Sequence, residues 1–153
     1  MSLNEELNEV ALTEQEAQRQ FTHSIRVCTA AGCLSLQSDT VLKNIKEQVE
    51  AKGHEPTCQA KGVGCLGLCS AGPLIAVDAE GVEEELLYQR VLPDDAEELV
   101  ESTGTNQPVE RLLIDTSAPF FRRQHKIVLE NFGFIDPERI EEYVAVEGYD
   151  ALT

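Results

Sequence analysis

The stretch "VCTAAGCLSL" (residues 27–36) sets Cys28 and Cys33 on either side of four small residues, Thr29, Ala30, Ala31 and Gly32. Just before it, "SIRVC" (residues 24–28) alternates polar Ser24 and Arg26 with apolar Ile25 and Val27. A period of two belongs to a strand with one buried face, so the first cysteine falls where strand gives way to loop.

Downstream, residues 39–52 carry Leu42, Ile45 and Val49 on one helical face, and Gly53 follows where a left-handed C-terminal residue is favoured. "PTCQAKGVG" (56–64), "PLIAVD" (73–78) and "EELLYQRV" (84–91) read as three further strands, with "DAEG" (78–81) supplying turn residues between the last two. Pro93, Asp94 and Asp95 open a helix to about Ser102, with proline in the first turn and acids near the positive end of the helix dipole. Strand, helix, strand, strand, strand, helix over residues 22–104 predicts an α/β fold: a small mixed sheet covered by helices.

The flanks are helical in pattern. Residues 1–21 read as an N-terminal arm, with Leu7, Val10, Ala11 and Ala17 as its stripe and Thr13 and Glu16 spaced as a capping box. Residues 105–117 read as a linker holding one apolar run, Leu112 to Ile114. In residues 118–153, Phe120, Phe121, Ile127, Val128 and Phe132 mark a helix ended by Gly133, and Asp136 with Pro137 caps another to about Val146.

A second cysteine pair sits in "GVGCLGLCSAGP" (62–73), so the chain reads C-x4-C, thirty-one residues, then C-x3-C. Both pairs lie at strand ends in loops of small residues. If the first two strands are neighbours, the loops converge at one sheet edge and offer four thiolates to a common centre. Zinc knuckles use C-x2-C turns, and neither pair has that spacing. A two-iron cluster is wider, and its sulfides accept hydrogen bonds from backbone N–H groups that small residues let approach. Leu66 and Leu68 are placed to shield such a centre from water. A zinc site or unmetallated thiols stand as the alternatives. Disulfide exchange wants C-x-x-C, which occurs nowhere in the chain.

Composition narrows the classes. At 153 residues and 42% apolar content the chain builds one domain plus appended helix. A formal net charge of −16 repels nucleic-acid phosphates and anionic lipid, and no apolar run approaches a membrane span or a secretion signal. The expected location is the cytoplasm, where five cysteines, an odd number, point to metal or redox chemistry over a disulfide framework. Cys58, outside both pairs in a strand, reads as a small apolar core residue. His23 and His54 read as surface residues. Arg122, Arg123, His125 and Lys126 form a basic island, read as a solvated face or a docking patch.

The spacing, the "GVGCLGLCSAGP" loop and the strand order resemble the thioredoxin-like [2Fe-2S] ferredoxin family, which includes the small iron–sulfur subunit of NADH dehydrogenases and NAD-reducing hydrogenases. The resemblance covers residues 22–104. It implies a thioredoxin-like fold and one [2Fe-2S] cluster ligated by Cys28, Cys33, Cys65 and Cys69.

"FFRRQHKIVLENFGFIDPERIEEYVAVEGYDAL" (120–152) is similar to the segment that opens the flavin-binding, NADH-oxidising subunit of the same enzymes. The composite resembles the N-terminal part of the diaphorase flavoprotein subunit of bidirectional NAD-linked hydrogenases. That implies single-electron transfer with a flavoprotein or NADH-oxidising domain or subunit and with other iron–sulfur subunits, and it permits a homodimer. No glycine-rich phosphate loop occurs in residues 1–153, so FMN and NAD(P) sites are expected in a further portion or a partner subunit. Two other readings remain: a structural docking module whose redox activity is dispensable, and a free-standing ferredoxin.

Overall fold

In the computed structural model, residues 2–79, 81–105 and 107–152 are described; Glu80 of the expected turn and Asn106 of the expected linker lie outside them. In chain order the elements are α1 (Leu3–Gln18), β1 (His23–Cys28), α2 (Ala31–Leu34), α3 (Ser38–Ala51), β2 (Cys58–Val63), β3 (Ile75–Ala79), β4 (Leu86–Tyr88), α4 (Ala96–Thr105), α5 (Pro119–Arg122) and α6 (Ile140–Ala145). The sheet order is β2-β1-β3-β4, with β1 parallel to β2 and antiparallel to β3, and β3 antiparallel to β4. This is the small mixed sheet that the sequence pattern predicts, with the first two strands adjacent.

Alternation along β1 gives the sheet two unlike faces. Ile25 and Val27 pair with Val77 and Ile75 of β3, and these four share a core with Val41, Ile45 and Val49 of α3 and Leu99 and Val100 of α4. The i, i+4 spacing of Val41, Ile45 and Val49 makes one stripe, and Gly53, with φ of 70°, turns the chain after the helix. On the opposite face stand Arg26 and Cys28, with Lys61 across from Arg26 on β2. The C-terminal segment covers this polar face: Arg26 donates to the Gly133 carbonyl, and Lys61 pairs with Glu142 at 2.7 Å.

Several local expectations are corrected. The α1 capping box is Ser2 and Glu5, each bonding the other's backbone N–H, whereas Thr13 lies inside the helix and donates to the Glu9 carbonyl. Of the expected stripe, Val10 and Ala17 are exposed, and the buried residue of α1 is Glu14. Glu14 is paired with Arg139 at 2.7 Å, and Gln15 donates to the Ala145 carbonyl, which docks the arm on α6. β4 is shorter than "EELLYQRV" because the Gln89 N–H turns to the Leu112 carbonyl and Arg90 takes a φ of 50°. Leu113 bridges Tyr88, and Ile114 donates to the Leu87 carbonyl, so the apolar run of residues 112–114 lies along the sheet edge.

The tail is less helical than its composition suggests. A helix across 120–132 does not form; α5 has four residues, and Ile127 and Val128 are 73% and 92% exposed. A short helix depends on packing its apolar face, and these two side chains stand largely in solvent. α6 starts at Ile140, not at Asp136, whose carboxylate instead accepts from the Glu138 N–H in a local turn.

Candidate metal centre

Strand β1 delivers Cys28, fully buried, to its C-terminal end in the middle of the sheet; its N–H donates to the Leu74 carbonyl, and the Thr29 N–H donates to the Val63 carbonyl at 2.9 Å. These bonds tie the exit of β1 to both neighbouring chain segments. Four residues of loop and α2 later comes Cys33, also buried. The loop after β2 carries Cys65, half-buried, and a 3₁₀ turn begins at exposed Cys69.

The thiols form two pairs that face one another. The sulfurs of Cys65 and Cys69 are 3.6 Å apart, and the Gly67 N–H points at the Cys65 Sγ at 3.3 Å. Gly67 has a φ of 93°, a conformation that glycine reaches without strain and that aims its N–H inward. A Cβ placed on Gly32, beside Cys33, would lie 3.9 Å from the Cys69 Sγ, and one on Gly72 would lie 3.0 Å from the Cys33 Sγ. The two loops thus cross closely, with ordinary van der Waals room at Gly32 and a tight fit at Gly72.

Electrostatics report the same proximity. The Cys33 thiol is pushed up to about 12, first by burial, then by a hydrogen bond with Cys28, with Cys28 and Cys69 adding like-charge repulsion. Cys69 is raised by its hydrogen bond with Cys65 and by the charges of Cys65 and Cys28. Cys33 and Cys69 therefore resist ionising, a cost that bound cations remove. Among the described residues no three ligand-type side chains close on one ion. Two adjacent pairs instead match a diiron centre with two thiolates per iron.

Around the pairs is an apolar shell: Ala71 and Leu74 with Cys28 and Cys33, and Ala30, Leu66, Leu68 and Ile114 packed against them. Leu66 and Leu68 stand where shielding was expected, while Ile114 arrives from the segment read as a linker. Cys58 belongs to the main core, a cluster separate from this shell, and burial alone pushes its thiol up to about 11. His23 bonds the Thr22 hydroxyl at the opposite end of β1 from Cys28, and His54 lies beside Gly104. The exposed basic residues Arg122 and Lys126 line, with Phe120 and Phe121, a cavity of about 390 Å³ that reaches Leu66 and Gly67.

Sequence reading missed the tail's approach to the metal loop. The Phe132 ring packs against Gly64, and Gly133 lies against Leu66, so residues on both sides of Cys65 touch the C-terminal segment. The available signal was Arg26, two residues before Cys28 and therefore on the same sheet face.

The sequence and fold have known counterparts. A 2Fe-2S ferredoxin of Clostridium pasteurianum is 34% identical over 101 residues, covering 60% of this chain and 95% of that protein. The crystal structure of the wild-type thioredoxin-like [2Fe-2S] ferredoxin from Aquifex aeolicus superposes with a TM-score of 0.54 at 25% identity, covering 62% of this chain and 98% of that one. A second structure of a thioredoxin-like [2Fe-2S] ferredoxin from the same organism gives 0.53 at 26% identity, covering 62% and 92%. The family profile described as thioredoxin-like [2Fe-2S] ferredoxin matches residues 13–103, which contain both cysteine pairs and the whole four-stranded sheet. By fold and by sequence, this chain belongs to the thioredoxin-like [2Fe-2S] ferredoxins.

Proposed function

We propose that Cys28, Cys33, Cys65 and Cys69 hold one [2Fe-2S] cluster, and that the domain relays single electrons to or from a flavin or another cluster in an NAD(P)H-linked oxidoreductase of the diaphorase or NADH dehydrogenase kind. The observation that carries the reading is the convergence of four thiols in two facing pairs from two separate loops. When bound, the cluster supplies a one-electron couple.

The chain's own residues set the conditions of that couple. Gly67 offers an N–H to a ligating sulfur, Leu66, Leu68 and Ile114 limit water, and the exposed side of Cys69 leaves a short path to a partner. The groove from Leu66 to Arg122 and Lys126, which Glu84 and Glu85 also line, is the docking face. FMN and NAD(P) belong to the partner domain or subunit, and the cytoplasm is the expected setting. No helix among the described residues is long and apolar enough to cross a membrane.

Stopped-flow mixing with an NADH-reduced diaphorase flavoprotein tests the reading. Bleaching of the cluster absorbance in the intact domain supports it, and a partner whose oxidation is indifferent to cluster loss refutes it.

A further inference from the structure

Arg26 is an odd residue to bury. Its side chain is 3% exposed on the face of β1 that also carries Cys28. Removing a guanidinium from water costs several kcal/mol unless its donors are met and its charge is paired. Here the fork reaches three elements: it pairs with Asp78 of β3 at 2.7 Å and with Glu85 before β4, and it donates to the carbonyl of Gly133 in the C-terminal segment. The Phe134 ring lies 4.5 Å from the guanidinium carbon, an added cation–π contact. Nε has no partner among the described residues, so the bonds of the fork and the ring contact hold the group in place.

What Arg26 grips is the turn that presses on the Cys65 loop. Phe132 meets Gly64 and Gly133 meets Leu66, so closely that a Cβ on Gly133 would fall 2.6 Å from the Leu66 Cδ2. Gly133 has a φ of 82° and is buried, so the turn has little freedom to shift. The family match ends at residue 103, and this turn lies beyond it.

We propose that Arg26 is a positioning residue for the metal centre: by fixing the Phe132–Gly133–Phe134 turn against the Cys65 loop, it sets how far that loop opens to water and thereby the reduction potential of the bound cluster. The inference rests on the cluster assignment above. Solvent stabilises the more negative reduced form, so opening the loop at constant charge raises the potential.

Two measurements separate the clamp from the cluster. In metal-free protein, hydrogen exchange at residues 64–68 speeds up about tenfold in Arg26→Gln, the loss of a charge-assisted hydrogen bond, and stays at the native rate in Arg111→Gln, a surface ion-pair control. Unchanged exchange in Arg26→Gln overturns the clamp whether or not a cluster exists. In loaded protein, redox titration of Arg26→Lys and Gly133→Ala, both charge-neutral changes, gives potentials above the native value. Gly133→Ala lies outside the sheet and keeps the test open if Arg26→Lys folds poorly. Native potentials in the variants that load overturn the proposed consequence, and a native protein that binds no iron overturns the cluster reading together with that consequence, while the exchange result still decides the clamp.

Discussion

Gly72 lies against Cys33 so closely that a Cβ on it would stand 3.0 Å from the sulfur and 3.4 Å from the Cys69 carbonyl oxygen. Its backbone, at φ −64° and ψ 163°, is open to any residue, so the demand for glycine there is steric. Gly72→Ala is expected to cost about 1–3 kcal/mol of overpacking at the crossing of the two loops. Iron and sulfide content measured after anaerobic purification should fall well below the native level, with near-native far-ultraviolet circular dichroism.

Replacing the cysteines one at a time divides them into two classes. Alanine at Cys28, Cys33, Cys65 or Cys69 is expected to remove most of the bound iron and sulfide. Alanine at Cys58, which sits in the main core and touches none of the other four, keeps both. Equal content across all five variants contradicts the assignment.

The raised thiols make loading a competition with protons. Cys33 is pushed up to about 12 and Cys69 is also raised, so both hold their protons at neutral pH in metal-free protein. Iron binding must displace them, and apparent affinity therefore rises with pH. Anaerobic ferrous titrations at about pH 7 and about pH 9 should show tighter binding at the higher value, with protons released at both.

The arm and tail should part in acid. Burial alone would raise the Glu14 carboxyl, but the hydrogen bond from Gln18 and the Arg139 guanidinium outweigh it and hold it below its ordinary value. A lowered carboxyl contributes fully above the ordinary glutamate pKa and loses that contribution as pH falls through the lowered one. Hydrogen exchange in α1 should accelerate over that interval, and Glu14→Gln should abolish the step.

Stability should track packing and ignore exposed hydrophobicity. Ile45, fully buried between the sheet and α4, is expected to cost about 2–5 kcal/mol as Ile45→Ala in denaturant unfolding. Val128→Ala, at a side chain 92% exposed, should stay within about 0.5 kcal/mol of native.

Legibility from sequence followed the range of the interactions. The β1 alternation, the α3 stripe and the small residues around the cysteines are local patterns whose meaning survives folding, and they located the sheet and both thiol pairs. The tail failed because Phe120, Ile127 and Val128 look like a helix face only while something is assumed to cover them. Ile114 and Gly133 were missed for a related reason: each acts through a partner far off in sequence, Leu87 in one case and Arg26 in the other. Arg26 itself is, in sequence, only the polar member of an alternating strand, and its buried pairing with Asp78 and Glu85 depends on β3 lying alongside β1 with the start of β4 beyond it.

Electron paramagnetic resonance of anaerobically purified, dithionite-reduced protein tests the central assignment most directly. The expected result is a spin-half signal of about one spin per chain, lost in Cys65→Ala and retained in Cys58→Ala. A reduced protein without that signal, holding zinc in place of iron, would contradict it.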